Sequence, residues 1–464
     1  MGNPPRGDPA EQREQPRNTE ASMGNTPDNT DGQLVSTKQA RIAMLARQHA
    51  GTGVNYLHHE WDIHWMIEAF ERTRKDGAPG VDGVTWEAYG ENLYANLQSL
   101  LDRANSGTYR APPVKRAFIP KGNGESRPIG IPTLEDRVLQ RAVLMLLEPI
   151  MEQEFLDCSF GFRKGRSAHD ALEQIWRNAA SGGMNWVIDL DIRKFFDTLD
   201  HCHLREMLGK RVQDGVIRRL IDKWLAAGVM ENGRWHAAEL GTPQGGVISP
   251  MLANLYLHVV LDEWLATVVP PYLKGRVHLV RYADDAVIGC ERVEDANMLM
   301  RVLPKRLGRF GLTLHPEKTR LVRFNRPKRD GNDSSGQPPE SFNFLGFTHY
   351  WGKSRSGSRM VIRKTAVDRF RRSLAALWEW GKEVRHTPIQ EQHRTLCAKI
   401  RGHGAYFGIS GNSACLRSFV YRASRTWHFW LGRRGNAVRL TWERFNQLLQ
   451  AYPLPRLRIV HPFE

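Results

Sequence analysis

The sequence predicts a protein of the α+β class, and two features of the chain support this prediction. Residues 186–192 and 278–290 are apolar, rich in β-branched side chains and carry aspartates; the second segment has the pattern of strand, tight turn and strand. Beyond residue 361, by contrast, the chain is expected to be entirely helical. With 464 residues, it is long enough to form two or three lobes with a substantial core.

Composition divides the chain into four parts. Residues 1–36 are polar, rich in Pro and Gly and almost free of large apolar side chains, which predicts a disordered tail. Helical patterns and one hairpin occupy residues 37–185, the acidic strands fall in residues 186–360, and residues 361–464 are basic. Within the third part, the Gly/Pro/Ser-rich residues 325–341 are expected to form a long, mobile hairpin tip.

Positive charge is concentrated near the C-terminal end. The net charge is +16, and residues 351–464 contain 22 Lys and Arg against 6 Asp and Glu, so the remainder of the chain is balanced. Such a segment favours a polyanionic partner, RNA or DNA, over a membrane surface. No apolar stretch is long enough to span a bilayer, and five scattered cysteines favour a reducing cytoplasmic location without a structural zinc site.

Four carboxylates indicate a metal-dependent reaction. Asp284 and Asp285 are adjacent at the predicted turn, and strict alternation in residues 186–192 places Asp189 and Asp191 on one strand face. Two Mg²⁺ ions about 4 Å apart, for which Mn²⁺ can substitute, use such ligands to catalyse phosphoryl or nucleotidyl transfer. Periodicity does not choose between Asp189 and Asp191, and a solvated Asp-Asp turn is the alternative.

Three further segments suit contacts with phosphates. Lys121 and Arg127 leave either side of a glycine-containing turn and can close over a triphosphate, although a solvated basic turn is the alternative. The loop carrying Arg163, Lys164 and Arg166 is suited to contact the backbone of an RNA template, and an ordinary surface loop is the alternative. The Gly/Pro turn at residues 240–248 precedes a helix, and its glycines can let the backbone approach a nucleotide closely. The alternative is an ordinary turn at the start of a helix.

The order of these motifs resembles the fingers and palm of reverse transcriptases. The set comprises Lys121 and Arg127, Asp191 with Phe196, Pro243-Gln244-Gly245, Tyr282-Ala283-Asp284-Asp285, Lys318 and Phe344-Leu345-Gly346-Phe347. The helical N-terminal extension, residues 160–167 and the basic tail with residues 402–407 look like the group II intron reverse transcriptase–maturase family. The resemblance covers residues 40–464.

The resemblance implies a right-hand polymerase followed by an all-α domain. Residues 37–185 would form the N-terminal extension and fingers, and residues 186–360 the palm with its antiparallel sheet. Residues 361–464 would form the helical thumb and maturase domain. The chain ends at Glu464 without a cysteine- and histidine-rich endonuclease module, so we expect it not to nick a second DNA strand itself.

The resemblance also assigns roles to single residues. Asp191 and Asp284 would be the main metal ligands, with Asp285 close by. Asp191 is preferred to Asp189 because the family carries a bulky residue five positions after its catalytic aspartate, here Phe196. That ring would exclude a 2′-hydroxyl and so select deoxynucleotides.

The remaining assignments concern the nucleotide and the primer. Lys121 and Arg127 would hold the incoming phosphates, Gln244 would line the nucleotide pocket, and Lys318 would approach the nucleotide. The primer would be supported by Phe344, Leu345 and Gly346.

The implied function is RNA-directed DNA synthesis with intron maturase activity. The expected partners are a group II intron RNA, an RNA template with a DNA primer, dNTPs and target DNA. Two alternatives remain open: a domesticated reverse transcriptase in host defence or DNA repair, and an RNA-binding splicing factor with a vestigial polymerase. An RNA-templated RNA polymerase is less consistent with Phe196.

Overall fold

The structure, a computed structural model, describes residues 30–120, 126–231, 233–237, 241, 245–327, 339–354, 356–434 and 440–462. Helices and three β-sheets make up these parts of the chain, which confirms the α+β class. Most of the predicted hairpin tip at residues 325–341 lies outside the described residues. In the described ranges, no helix is both long enough and apolar enough to cross a membrane.

The α-helices occur along the whole of the described chain. They are α1 Thr30–Gln48, α2 Ile63–Glu71, α3 Trp86–Gly90, α4 Leu93–Ser106, α5 Leu134–Met151, α6 Ala168–Ala180, α7 Phe195–Thr198, α8 His201–Arg211, α9 Gly215–Ala226, α10 Ser249–Leu257, α11 Val293–Gly308, α12 Val367–Glu383, α13 Ile389–Phe407, α14 Ser413–Leu431 and α15 Trp442–Ala451.

Strands occupy the middle of the chain. They are β1 Val114–Pro120, β2 Ser126–Ile131, β3 Trp186–Leu190, β4 Val229–Glu231, β5 Arg234–His236, β6 Val277–Tyr282, β7 Asp285–Cys290, β8 Arg320–Arg323, β9 Phe342–Phe344, β10 Phe347–Lys353 and β11 Arg359–Thr365.

Helix α1 corrects the predicted extent of the N-terminal tail. The chain is helical from Thr30, so residues 30–36 are not part of a disordered segment. Val35, Ile42 and Ala46 are buried along one side of α1, which packs on α5. Their spacing of seven and then four residues forms a stripe that burial stabilises, despite the polar composition around it.

The central sheet, in the order β6-β7-β3-β8, separates two hydrophobic cores. Ile188, Leu190 and Ile288 belong to the core that also contains α5 and α8–α11. On the opposite face, Val187 and Val287 belong to the core shared with α6 and the sheet β11-β10-β9. Burial of both faces explains why β3 and β7 are so apolar, and it leaves their polar residues at the strand ends.

Strand β11 is a second correction. Residues 361–365 were expected to be helical, but Arg359–Thr365 pairs antiparallel with β10, and the predicted domain boundary at residue 361 falls within this strand. Val361, Arg363 and Thr365 alternate inward, the period of a strand and not of a helix. The all-helical part therefore begins at α12.

Candidate active site

A two-residue turn presents the adjacent aspartates. Strands β6 and β7 pair antiparallel up to Tyr282 and Asp285, which leaves Ala283 and Asp284 at the tip. Ala283 has a φ of 57°, in the left-handed region that such tight hairpin turns require. Alanine adopts this region at a steric cost, so contacts around the turn must hold it in place.

The predicted metal ligands converge at one end of the central sheet. The β3–β7 ladder pairs Leu190 with Ala286, so Asp191 and Asp285 come next on neighbouring strands. Asp285 is exposed at the start of β7, but the protein around its carboxylate limits its solvation, and the nearby carboxylates of Asp284, Asp191 and Asp189 repel its charge. Together these effects raise the pKa of Asp285 to about 6. Four carboxylates therefore lie within electrostatic range of one another.

Two cations partly neutralise this cluster. Lys318 Nζ lies 3.4 Å from Asp191 Oδ2, and Arg320 Nε lies 3.3 Å from Asp189 Oδ2. Arg320 is paired directly across from Asp189 in the β3–β8 ladder, whereas the Lys318 side chain is 61% exposed. Asp191 is thus held by the more easily displaced partner, and this difference favours Asp191 over Asp189 as a metal ligand.

The carboxylates suit Mg²⁺ that a substrate helps to bind. Across the described ranges, no three His, Cys, Asp or Glu side chains are grouped closely enough to hold a metal ion by themselves. Mg²⁺ is commonly bound by one or two carboxylates together with substrate phosphates, so a smaller protein ligand set is sufficient. The raised pKa of Asp285 reflects limited solvation first and repulsion from the neighbouring carboxylates second, and a bound cation would counter that repulsion.

A cleft joins the carboxylates to the predicted primer-support residues. Asp189 and Asp285 line it on one side, and Asn343–Gly346, Asp368 and Arg369 line it on the other. Leu345 and Gly346 both have positive φ and form the tight turn between β9 and β10. The Tyr406 hydroxyl donates a 2.8 Å hydrogen bond to the Leu345 carbonyl, which ties this turn to α13.

Two glycine contacts bring the predicted nucleotide-binding segments together. A Cβ at Gly241 would clash with the backbone of Phe196, and a Cβ at Gly245 would clash with the Gly130 carbonyl on β2. Gly241 therefore lies against the backbone of the partly buried Phe196, and Gly245 lies against the β1–β2 hairpin. Lys121 and Gln244 lie outside the described residues, as does the side chain of Arg127.

The three basic residues predicted to bind RNA have different environments. Arg163 is only 7% exposed; its Nη1 donates hydrogen bonds to the Leu156 and Ser159 carbonyls, and it forms an ion pair with Glu152. These bonds fold the loop and leave Arg163 no free face for RNA, which corrects its predicted role. Lys164 is exposed, and Arg166 pairs with Asp157 at 2.5 Å.

Sequence reasoning missed a buried network behind the aspartate turn. Arg281 forms a two-bond ion pair with Asp262, at 2.8 and 2.5 Å, and both side chains are fully buried. Arg281 Nη1 also donates to the Ala283 carbonyl and to Asn254, each at 3.0 Å. The available signal was the presence of Asn254 and Asp262 within a strongly apolar helical stretch.

Gln140 is a second residue that the sequence analysis missed. It is 4% exposed on α5, and its Oε1 accepts a 2.8 Å hydrogen bond from the Val247 amide, just after the Pro243–Gly245 motif. The available signal was a glutamine within the mostly apolar residues 138–147 of this helix. Its bond orients the turn that precedes α10.

Comparisons with known proteins agree with this geometry. Residues 119–349 match the family model described as reverse transcriptase (RNA-dependent DNA polymerase). Protein YkfC of Escherichia coli is 34% identical over 346 residues, covering 68% of this chain and 87% of that protein. The group II intron-encoded protein LtrA of Lactococcus lactis is 44% identical over 176 residues, but the match covers 38% of this chain and 28% of LtrA.

A plant relative is also similar. Nuclear intron maturase 2, mitochondrial, of Arabidopsis thaliana is 29% identical over 180 residues, and the match covers 30% of this chain and 24% of that protein.

Proposed function

Because this chain belongs to the group II intron reverse transcriptase–maturase family and is an RNA-directed DNA polymerase, we propose that it copies a group II intron RNA and assists the splicing and mobility of that intron. The observation that carries the proposal is the meeting of Asp191, Asp284 and Asp285 at one end of the central sheet, beside a cleft.

The proposed architecture is a right hand. The β1–β2 hairpin would belong to the fingers, the central sheet would form the palm, and α12–α15 would form the thumb and maturase domain. The shared cleft supports this arrangement, since it combines palm carboxylates with Asp368 and Arg369 at the start of α12. A primer–template held there would have its 3′ end beside the aspartates.

The proposed reaction joins the primer 3′-oxygen to the α-phosphorus of a dNTP, with pyrophosphate leaving. Asp191, Asp284 and Asp285 would hold two Mg²⁺ ions, which when bound lower the pKa of the 3′-hydroxyl and neutralise charge on the phosphates. Lys121 and Arg127 would orient the β- and γ-phosphates. Lys318 would exchange its contact with Asp191 for one with the nucleotide.

The basic C-terminal part would bind the intron RNA. Residues 351–464, with 22 Lys and Arg against 6 Asp and Glu, support phosphate contacts over an extended surface. Target DNA would be a further partner, and a cytoplasmic location is part of the proposal.

A primer-extension assay with the full chain tests the proposal. We expect a DNA primer on an RNA template to be extended with dNTPs in Mg²⁺ or Mn²⁺ and not after chelation by EDTA. RNA that co-purifies with the protein should contain the intron, and its binding should weaken steeply as salt increases. Extension that persists in EDTA would contradict the metal-dependent mechanism, and co-purifying RNA without intron sequence would contradict the maturase role.

Replacing Phe196 with alanine should relax sugar discrimination. The Phe196 carbonyl oxygen lies against Gly241, and the proposed function puts the sugar of the incoming nucleotide beside Phe196. We expect Phe196→Ala to raise incorporation of ribonucleotides at least about tenfold relative to dNTPs, a change of about 1.4 kcal/mol in discrimination. Competition assays with matched rNTP and dNTP measure it, with Phe195→Leu, a substitution of the neighbouring buried ring, as the control. Unchanged discrimination in Phe196→Ala would contradict the assignment.

A further inference from the structure

Phe162 has two features that folding alone does not favour. Its side chain is 59% exposed, although phenylalanine gains free energy when it leaves water. Its φ is 58°, in the left-handed region, where residues other than glycine pay a steric cost. Outliers of this kind occur where the surrounding structure enforces them, and they are concentrated at functional sites.

The residues on either side hold Phe162 in this conformation. A Cβ at Gly161 would overlap the Ala283 amide nitrogen, and the Gly161 carbonyl accepts a 2.7 Å hydrogen bond from Asn254. On the other side, buried Arg163 is fixed by its bonds to loop carbonyls and by Glu152. With both neighbours anchored, the exposed ring is presented by a rigid loop.

The same contacts locate Phe162 next to the aspartate turn. The loop runs parallel to β6: Ser159 bridges Arg281, and the Phe160 amide donates a 2.8 Å hydrogen bond to the Arg281 carbonyl. Gly161 then lies against Ala283. Phe162 directly follows Gly161, and since consecutive Cα atoms are about 3.8 Å apart, it lies within one residue of this contact with the aspartate turn.

We propose that Phe162 stacks on a nucleobase of the bound primer–template beside the primer 3′ end. This inference rests on the proposed polymerase function and assigns one of its substrate contacts. An aromatic face suits every base, so stacking would hold the duplex without selecting sequence. Lys164, two residues further along the chain, is exposed and available to a phosphate of the same strand.

The test distinguishes the effect of losing the aromatic ring from the effect of destabilising the fold. In Phe162→Gly, the stacking face is lost but the left-handed backbone is relieved, so we expect an unchanged or higher Tm. Binding of a fluorescein-labelled DNA primer on an RNA template, measured by anisotropy without dNTPs, should weaken about 5- to 100-fold. Phe162→Leu should weaken binding similarly, because leucine is apolar without an aromatic face, whereas Phe162→Trp should bind within about threefold of the wild type.

Tyr56 provides a matched control. It is an aromatic residue with a φ of 59° and 72% exposure, located in the N-terminal part of the chain and outside the aspartate cleft. Tyr56→Gly should show the same effect on Tm without weakening the binding of the primer–template.

Three results would overturn the inference: Phe162→Gly binding within twofold of the wild type, Phe162→Leu binding like the wild type, or a lower Tm in Phe162→Gly. Failure of the proposed function is distinct from these outcomes, since the wild-type protein would then extend no primer.

Discussion

The Asp284→Asn/Asp285→Asn protein is expected to synthesise no detectable DNA on a primed RNA template. Two bound cations stabilise the transition state by several kcal/mol, so the rate should fall at least about 1,000-fold when their ligands lose charge. Asparagine preserves the size of both side chains, and their location at a hairpin tip makes global unfolding unnecessary. Primer extension measures the loss, and filter binding should show that RNA is still retained.

The two aspartates at the C-terminal end of β3, Asp189 and Asp191, provide a matched pair of controls for this prediction. Asp191→Asn should remove activity as completely as the double substitution, because Asp191 lies next to Asp285 across the ladder. The Asp189→Asn protein should retain most of the activity, because Asp189 forms an ion pair with Arg320 at 3.3 Å. Full synthesis by Asp284→Asn/Asp285→Asn would contradict the proposed chemistry. An active Asp191→Asn protein together with an inactive Asp189→Asn protein would make Asp189 the ligand.

The second large effect concerns the stability of the protein. Asp262→Ala should lower the free energy of unfolding by about 3–5 kcal/mol, because it leaves the fully buried guanidinium of Arg281 without its partner. Urea denaturation followed by circular dichroism measures the change. A loss below about 1 kcal/mol would show that water reaches Arg281 and that the pair is not a buried one.

The exposed pair of Arg205 and Asp222 is the control for Asp262→Ala. Its atoms are 2.6 Å apart, but the side chains are 41% and 43% exposed. Asp222→Ala should therefore change stability by less than about 1 kcal/mol. Similar losses in the two variants would mean that burial does not determine the effect.

A double substitution separates stability from positioning. Arg281→Met with Asp262→Leu should recover most of the stability, since apolar residues of similar size can replace a buried ion pair. Primer extension should nevertheless remain slow, because the Ala283 carbonyl would no longer receive the 3.0 Å hydrogen bond from Arg281. Restored activity in this variant would show that the turn does not need that bond.

Local patterns were sufficient to predict the elements that carry the site. Alternation in residues 186–192 predicted β3, and the segment 278–290 predicted the β6–β7 hairpin with its aspartates at the turn. Such predictions succeed because side-chain direction along a strand depends only on its period of two residues. The sequence alone did not establish whether Asp189 or Asp191 comes closest to Asp285, because that depends on the register between strands.

By itself, then, the sequence determined the α+β class, the two acidic strands and the basic C-terminal part. Tertiary structure decided which side chains remain accessible: Arg163 is buried and hydrogen-bonded within its loop, whereas the neighbouring Phe162 is exposed. It also made residues 359–365 a strand, since β10 supplied hydrogen-bond partners that no local pattern reveals. The physical reason is common to these cases: burial and pairing depend on residues distant in the chain, and their free energies outweigh local preferences.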